Sequence, residues 1–109
     1  MEEKKIGYLD RVKLMKFFIK RESVFDFTIQ DFNDFTLESI GVPLCQKYNL
    51  FTGKSLETYI KEAPLENSLK LLFDLLDYYE VSGLSRDLAY QCLNPTTMVD
   101  YQECKSILD

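Results

Sequence analysis

Residues 65–81 read LENSLKLLFDLLDYYEV; they follow Pro64 directly and end two residues before Gly83. Apolar side chains recur there at three- and four-residue steps, which is the period of an α-helix. They form two adjacent stripes, Leu65, Leu69, Leu72, Phe73, Leu76 and Tyr79 in the first and Leu71, Leu75 and Tyr78 in the second. A helix that is apolar over most of its girth belongs in the middle of a helical bundle. The pattern therefore predicts a central helix over 65–81, with Leu72 and Phe73 in the core.

The segments on either side of this helix also carry helical patterns. Helices are predicted at residues 8–20, 43–48, 56–62 and 85–93, and a last one is predicted after an N-cap at Thr97. The stretch 23–41 is ambiguous, because residues 25–29 alternate as in a strand, whereas the later spacing favours a helix capped by Thr28. A single short strand would lack a partner, so helix is predicted there too. We expect one all-α domain over 1–109, a compact bundle of about five to six helices around the leucine-rich helix.

Composition and cysteine usage indicate a cytoplasmic protein. The chain has 109 residues, the usual size of one domain. It lacks the run of about 18 apolar residues that a membrane span requires, and residues 1–5 do not resemble a signal peptide. Its three cysteines, Cys45, Cys92 and Cys104, are odd in number and form no Cys-x-x-Cys pair. That usage favours reduced thiols in the cytosol over a disulfide framework or a zinc site.

Charge is distributed unevenly along the chain. Residues 1–21 hold seven basic and three acidic side chains, a net charge of +4, whereas residues 22–109 hold six basic and 15 acidic ones, a net charge of −9. The acidic body argues against broad nucleic-acid binding. The basic side chains of the first helix could contact phosphate or an acidic protein surface; they are Arg11, Lys13, Lys16 and Lys20. The alternative is a solvated helix face that pairs with the acidic body.

The sequence lacks the groups that most catalytic sites use. There is no histidine, so serine–histidine and cysteine–histidine nucleophile pairs are excluded. The run Thr52-Gly53-Lys54-Ser55 looks like the end of a phosphate-binding loop, but Tyr48 stands where that loop needs a glycine. We therefore interpret it as a turn glycine followed by a serine N-cap. Asp74 and Asp77 could hold Mg²⁺ or act as acid and base, but a site would need further ligands from another segment, so a solvated strip of the central helix is the favoured explanation. No enzyme activity, cofactor or metal site is predicted.

Several short runs, taken in order, carry a resemblance to a known family. They are FTLESIG at 35–41, KY at 47–48, GKSL at 53–56, YI at 59–60, LKLLFDLLDYYE at 69–80 and YQECKSIL at 101–108. Together they cover roughly residues 30 to 108 and resemble the helical domains that precede various effectors in bacterial abortive-infection proteins. In that family a glycine-and-lysine loop leads into a short helix with more basic residues and an aromatic anchor such as tryptophan. This chain has Lys54 in the loop, and Thr58 and Tyr59 in the helix.

The resemblance implies a module of a phage-defence protein that senses, recruits or oligomerises while another domain or partner does the chemistry. Our first hypothesis is therefore a non-catalytic interaction or adaptor module that binds a protein partner, either an effector domain or a second copy. The second is a small acidic phage-encoded inhibitor that mimics nucleic acid, and the third is a nucleic-acid-binding adaptor using the basic first helix. The candidate partner-binding residues are Arg11, Lys13, Lys16, Lys20, Lys54 and Tyr59.

Overall fold

A computed structural model describes residues 7–94 and 96–108, apart from the side chain of Ser85. The helices are α1 (Tyr8–Phe18), α2 (Ile29–Ile40), α3 (Leu44–Tyr48), α4 (Thr52–Glu62), α5 (Leu65–Val81), α6 (Leu88–Leu93) and α7 (Thr97–Leu108). Two-residue strands, β1 (Ile19–Lys20) and β2 (Ser23–Val24), and a 3-10 helix at Leu84–Arg86 complete the elements. The all-α prediction is confirmed, although the described residues form seven α-helices rather than the five or six expected.

The central helix has the predicted bounds. Its buried side chains are Ser68, Leu71, Leu72, Leu75, Leu76 and Tyr79, and it contacts α2, α4 and the 3-10 helix. The prediction that Phe73 lies in the core is wrong, because its side chain is 42% exposed. Phe73 lies three residues after Lys70 and four before Asp77, so the helical period places it on the polar face. Leu72, one position earlier, is fully buried.

A β-hairpin follows α1. The prediction of a helix through residue 20 is wrong, and the helix predicted over 23–41 begins only at Ile29. Ile19 pairs with Val24 and Lys20 with Ser23 in an antiparallel ladder. The two turn residues both have positive φ, 52° at Arg21 and 70° at Glu22. Two successive left-handed residues are typical of a type I′ hairpin turn, which normally carries Asn-Gly. The partner that a short strand needs is thus supplied by the residues directly after α1.

The ends of the other helices agree in part with the prediction. The Thr28 hydroxyl caps α2 by accepting a hydrogen bond from the backbone N–H of Asp31 at 3.1 Å. The predicted helix over 85–93 is instead the 3-10 helix followed by α6, because Asp87 accepts from the N–H of Tyr90 and starts a new helix there. Thr97 is the first residue of α7. No helix of the described residues has the length and apolarity needed to cross a membrane.

Aromatic rings connect the elements inside the bundle. Phe17 of α1 contacts Tyr79 of α5, with ring centroids 4.9 Å apart, and Tyr101 of α7, at 5.8 Å. Phe25, just after the hairpin, contacts both Phe17 and Tyr79. Edge-to-face and offset ring pairs of this kind add stability beyond the apolar area they bury. The same contacts fix α1 against α7 and against the central helix, which leaves the opposite side of α1 free to border a groove.

Candidate partner-binding groove

Three of the predicted partner-binding residues, Arg11, Lys16 and Lys54, line one groove of about 480 Å³ between α1 and α4. One wall presents Tyr8, Arg11, Val12, Met15 and Lys16 of α1 with Ile19 of β1. The other wall presents Glu22 of the hairpin turn with Gly53, Lys54, Glu57 and Lys61 of α4. The apolar members recur along α1 at helical spacing, with Met15 buried and Val12 42% exposed. The groove is therefore a partly open apolar trough with charged edges.

A close backbone contact at the start of α4 forms the end of this groove. The N–H of Gly53 donates to the carbonyl oxygen of Glu22 at 3.1 Å, and the Thr52 hydroxyl accepts from the N–H of Val24 at 2.9 Å. A Cβ atom added at Gly53 would lie 2.6 Å from that carbonyl oxygen, well inside van der Waals contact. Glycine is required at position 53 because the hairpin turn packs directly on the helix backbone.

This geometry corrects the interpretation of the Thr52-Gly53-Lys54-Ser55 run. The four residues form the first turn of α4 and not a loop. Gly53 is a packing glycine rather than a turn glycine. Ser55 is buried within the helix, and its hydroxyl donates to the carbonyl of Leu50 at 3.1 Å, so it is not an N-cap. Because the Gly53 N–H is already bonded to the hairpin, it is not available to a phosphate group in this structure.

The charges around the groove are mainly positive and partly unpaired. Its cations are Arg11, Lys16, Lys54 and Lys61, and its carboxylates are Glu22 and Glu57. Lys54 pairs with Glu57 across one helical turn at 3.5 Å. Arg11 and Lys61 form no ion pair with any described residue; the Arg11 guanidinium instead lies 5.5 Å from the ring centroid of Tyr8. Two cations on opposite walls are thus free to meet an anionic group.

The remaining predicted partner-binding residues lie elsewhere. The Lys20 ammonium is 3.2 Å from the Asp100 carboxylate of α7, and the Lys20 side chain is only 15% exposed. Lys13 lies 3.9 Å from Glu103, also on α7. Tyr59 packs in the core at 6% exposure, so its ring is not a surface contact. Much of the basic face of α1 therefore pairs with acidic side chains of α7. This agrees with the alternative stated for the first helix, a solvated face that pairs with the acidic body of the chain.

The sequence did not predict several charged groove residues, among them Lys61 and Glu22. Lys61 lies seven positions after Lys54, and the helical period puts both on one face once α4 is known to begin at Thr52. The predicted start at residue 56 hid this relation. Glu22 reaches the groove only because the hairpin turns back on α4, and no turn signal marks that reversal in the sequence.

The two buried cysteines are held as neutral thiols. Burial, reinforced by the nearby carboxylates of Asp100 and Glu103, raises the pKa of the Cys104 thiol to about 12. Burial also raises the pKa of Cys45, although a hydrogen bond with Ser55 acts in the other direction. A thiol with a raised pKa is a poor nucleophile near neutral pH. No group of three or more cysteine or acidic side chains among the described residues is placed to hold a metal ion.

The two aspartates that the sequence marked lie on α5, beside α2 and away from the groove between α1 and α4. Asp74 is engaged: it accepts a hydrogen bond from Ser39 at 2.6 Å and pairs with Lys70 at 2.5 Å. Asp77 is exposed and forms no ion pair with a described residue.

Comparison of the chain with protein-family models, curated proteins and solved structures gives no significant match.

Proposed function

We propose that this chain is a non-catalytic helical interaction module that binds a protein partner through the groove between α1 and α4. The observation that carries the proposal is the pair of unpaired cations, Arg11 and Lys61, on opposite walls of an apolar trough. An amphipathic helix binds such a trough by placing its apolar face on the floor, and opposite charges along the edges fix its orientation. The partner segment is accordingly an acidic amphipathic helix with apolar side chains for Val12 and Met15.

The cellular setting that we propose is bacterial antiphage defence, on the strength of the resemblance to the helical domains of abortive-infection proteins. In that setting the module acts in the cytoplasm and recruits or senses a partner, while an effector does the chemistry. Its partner is then an effector domain or a second copy of the chain.

Site-specific photo-crosslinking in bacterial cells, with and without phage infection, tests this proposal. A photoreactive side chain at position 12, within the groove, should capture one protein, and mass spectrometry should locate the crosslink in an acidic amphipathic segment. The matched control is the same side chain at position 88, where Leu88 is exposed outside the groove. Equal capture from both positions, or a crosslinked segment that is basic, would refute the assignment of the groove.

A second candidate function, the acidic inhibitor that mimics nucleic acid, is favoured by one observation. The outward sides of α2 and α5 carry Asp31, Asp34, Glu38 and Asp77, none of which pairs with a cation among the described residues. Such a face could occupy the basic groove of a nuclease. Competition between the chain and DNA for a basic nuclease would support this function over the first.

The third candidate, nucleic-acid binding through α1, is the least favoured. Lys13, Lys16 and Lys20 each lie within 4.0 Å of a carboxylate on α7, so fewer charges remain for phosphate. Steep salt-sensitive binding to DNA or RNA would support it, and no binding even at low salt would contradict it.

A further inference from the structure

A second groove, of about 630 Å³, runs between α2 and α5 and has an aromatic floor. Phe35 and Tyr78 line it, and Phe27 continues the same surface beyond them. The Phe27 and Tyr78 rings stack with centroids 4.6 Å apart, and Phe35 meets Tyr78 edge to face at 5.9 Å. All three side chains are half-buried. Val81 extends the apolar surface at one end and is 81% exposed.

The edges of this groove are strongly acidic. Five carboxylates line it and its continuation against a single ammonium, that of Lys70. Lys70 is already paired with Asp74. Glu38 of α2 and Asp77 of α5, on the two sides of the floor, form no ion pair with a described residue. The half-buried aromatic rings therefore have a carboxylate on each side that no described cation neutralises.

Arginine is the side chain that this combination suits. Its planar guanidinium stacks on aromatic faces and donates several hydrogen bonds to carboxylates at once. The Tyr78 ring is held within the floor, because its hydroxyl donates to Asp26 at 2.8 Å and the ring stacks on both Phe27, at 4.6 Å, and Phe25, at 6.0 Å. We propose that the α2–α5 groove binds an arginine-rich segment of a protein partner, with Phe35, which has no parallel stacking partner among the described rings, as the stacking ring and Glu38 and Asp77 as the carboxylates on either side.

This occupant is argued from charge complementarity, and it differs from the partner of the other groove. The body of the chain over residues 22–109 carries a net charge of −9, which attracts a basic segment at long range. The two grooves share no lining residue. The proposal therefore stands or fails independently of the function proposed for the α1–α4 groove.

Fluorescence anisotropy with a labelled amphipathic peptide of arginine and leucine tests it on the whole chain. Two control peptides keep the length and the leucines but replace every arginine by glutamate or by citrulline, which has the shape of arginine without its charge. We expect binding of the arginine peptide alone, with an affinity that falls as salt rises.

Charge variants then locate the contact. Glu38→Gln with Asp77→Asn should weaken binding by about threefold to tenfold, as expected for two exposed ion pairs. The matched control, Glu22→Gln with Glu57→Gln, makes the same change in net charge at the other groove and should bind like the wild type. If both double variants weakened peptide binding equally, the proposal would be overturned, because binding would then depend on the net charge of the chain and not on this groove.

Ring variants test the floor. Tyr78→Phe keeps the ring and should leave binding within about twofold of the wild type, whereas Phe35→Leu should weaken it because stacking is lost. Circular dichroism checks that both variants fold, and a chain that unfolds is replaced by a milder Phe35→Met variant. Unchanged binding by a folded Phe35 variant would overturn the stacking role. Self-association of the wild type would also overturn the proposal if it is saturable and if the double variant Glu38→Gln with Asp77→Asn abolishes it. The occupant of the groove would then be a second copy of the chain.

Discussion

Replacing Gly53 by alanine tests the contact between the hairpin and α4 at a single atom. The new Cβ would lie 2.6 Å from the carbonyl oxygen of Glu22 and 2.9 Å from its carbonyl carbon. These are backbone atoms of a tight turn whose two residues already have positive φ, so they cannot yield as a side chain would. The hairpin must move away from the helix, and the hydrogen bond from Gly53 to Glu22 breaks with it.

The cost follows from three contributions. Forcing an extra methyl group into a packed contact costs about 1–3 kcal/mol, and the broken hydrogen bond adds about 1 kcal/mol. Alanine offsets less than about 1 kcal/mol through its better helix propensity. We expect a net loss of about 2 kcal/mol in the free energy of unfolding, which lowers Tm by roughly 8 °C for a chain of this size.

Urea unfolding followed by far-ultraviolet circular dichroism measures this loss. Gly7→Ala is the control, because a Cβ at Gly7 meets nothing within 4 Å; since Gly7 is the N-cap of α1, where alanine is less favourable, it should cost no more than about 0.5–1 kcal/mol. If Gly53→Ala cost no more than this control, the hairpin would not pack on α4 as described. The α1–α4 groove would then lose the contact that forms its end.

Three further predictions concern the core and its charged groups. Leu72→Ala should lower the free energy of unfolding by about 2–5 kcal/mol, whereas Phe73→Ala should cost under about 1 kcal/mol because Phe73 lies on the polar face; similar urea midpoints for the two would contradict the placement of Phe73. Asp100→Asn should cost about 2–4 kcal/mol by leaving the Lys20 ammonium without its partner, and adding Lys20→Met should recover part of that loss in a double-mutant cycle. Stability should fall as pH rises from 9 towards 12, because the unfolded Cys104 thiol deprotonates from its ordinary pKa of 9.0 while the folded one keeps its proton to about 12; Cys104→Ala should flatten the fall in urea midpoint, and an unchanged slope would show that the thiol does not contribute.

The central helix could be predicted because every local signal agrees there. Pro64 suits a helix start, Gly83 suits a stop with its positive φ, and the apolar period between them is unbroken. The hairpin could not be predicted, because its strands are only two residues long and its Arg21-Glu22 turn contains neither the glycine nor the asparagine that is typical of such turns. Its shape is imposed by packing on Gly53, a contact between residues far apart in the chain.

The sequence could predict that charged residues take part in a binding surface, but not which residues line the groove. Charge alone indicates Arg11 and Lys54 as binding residues, and both line the groove. Charge does not show that Lys20 is neutralised by Asp100, 80 positions away, or that the predicted contact Tyr59 is buried. These outcomes depend on which faces of the helices pack together. The helical period shows which residues share a face, but it does not show which faces meet.

The proposed function depends most directly on whether the α1–α4 groove binds an acidic amphipathic helix. Titration calorimetry with a helical peptide of glutamate and leucine measures this binding affinity for the wild type and for two double variants. The groove variant is Arg11→Glu with Lys61→Glu. The control variant, Lys47→Glu with Arg86→Glu, makes the same charge change at exposed sites outside the groove. We predict that the groove variant weakens binding by at least about tenfold, while the control variant changes it by less than about threefold. Equal affinities for the two variants, or no binding by the wild type at low salt, would contradict the assignment of this groove as the partner-binding surface.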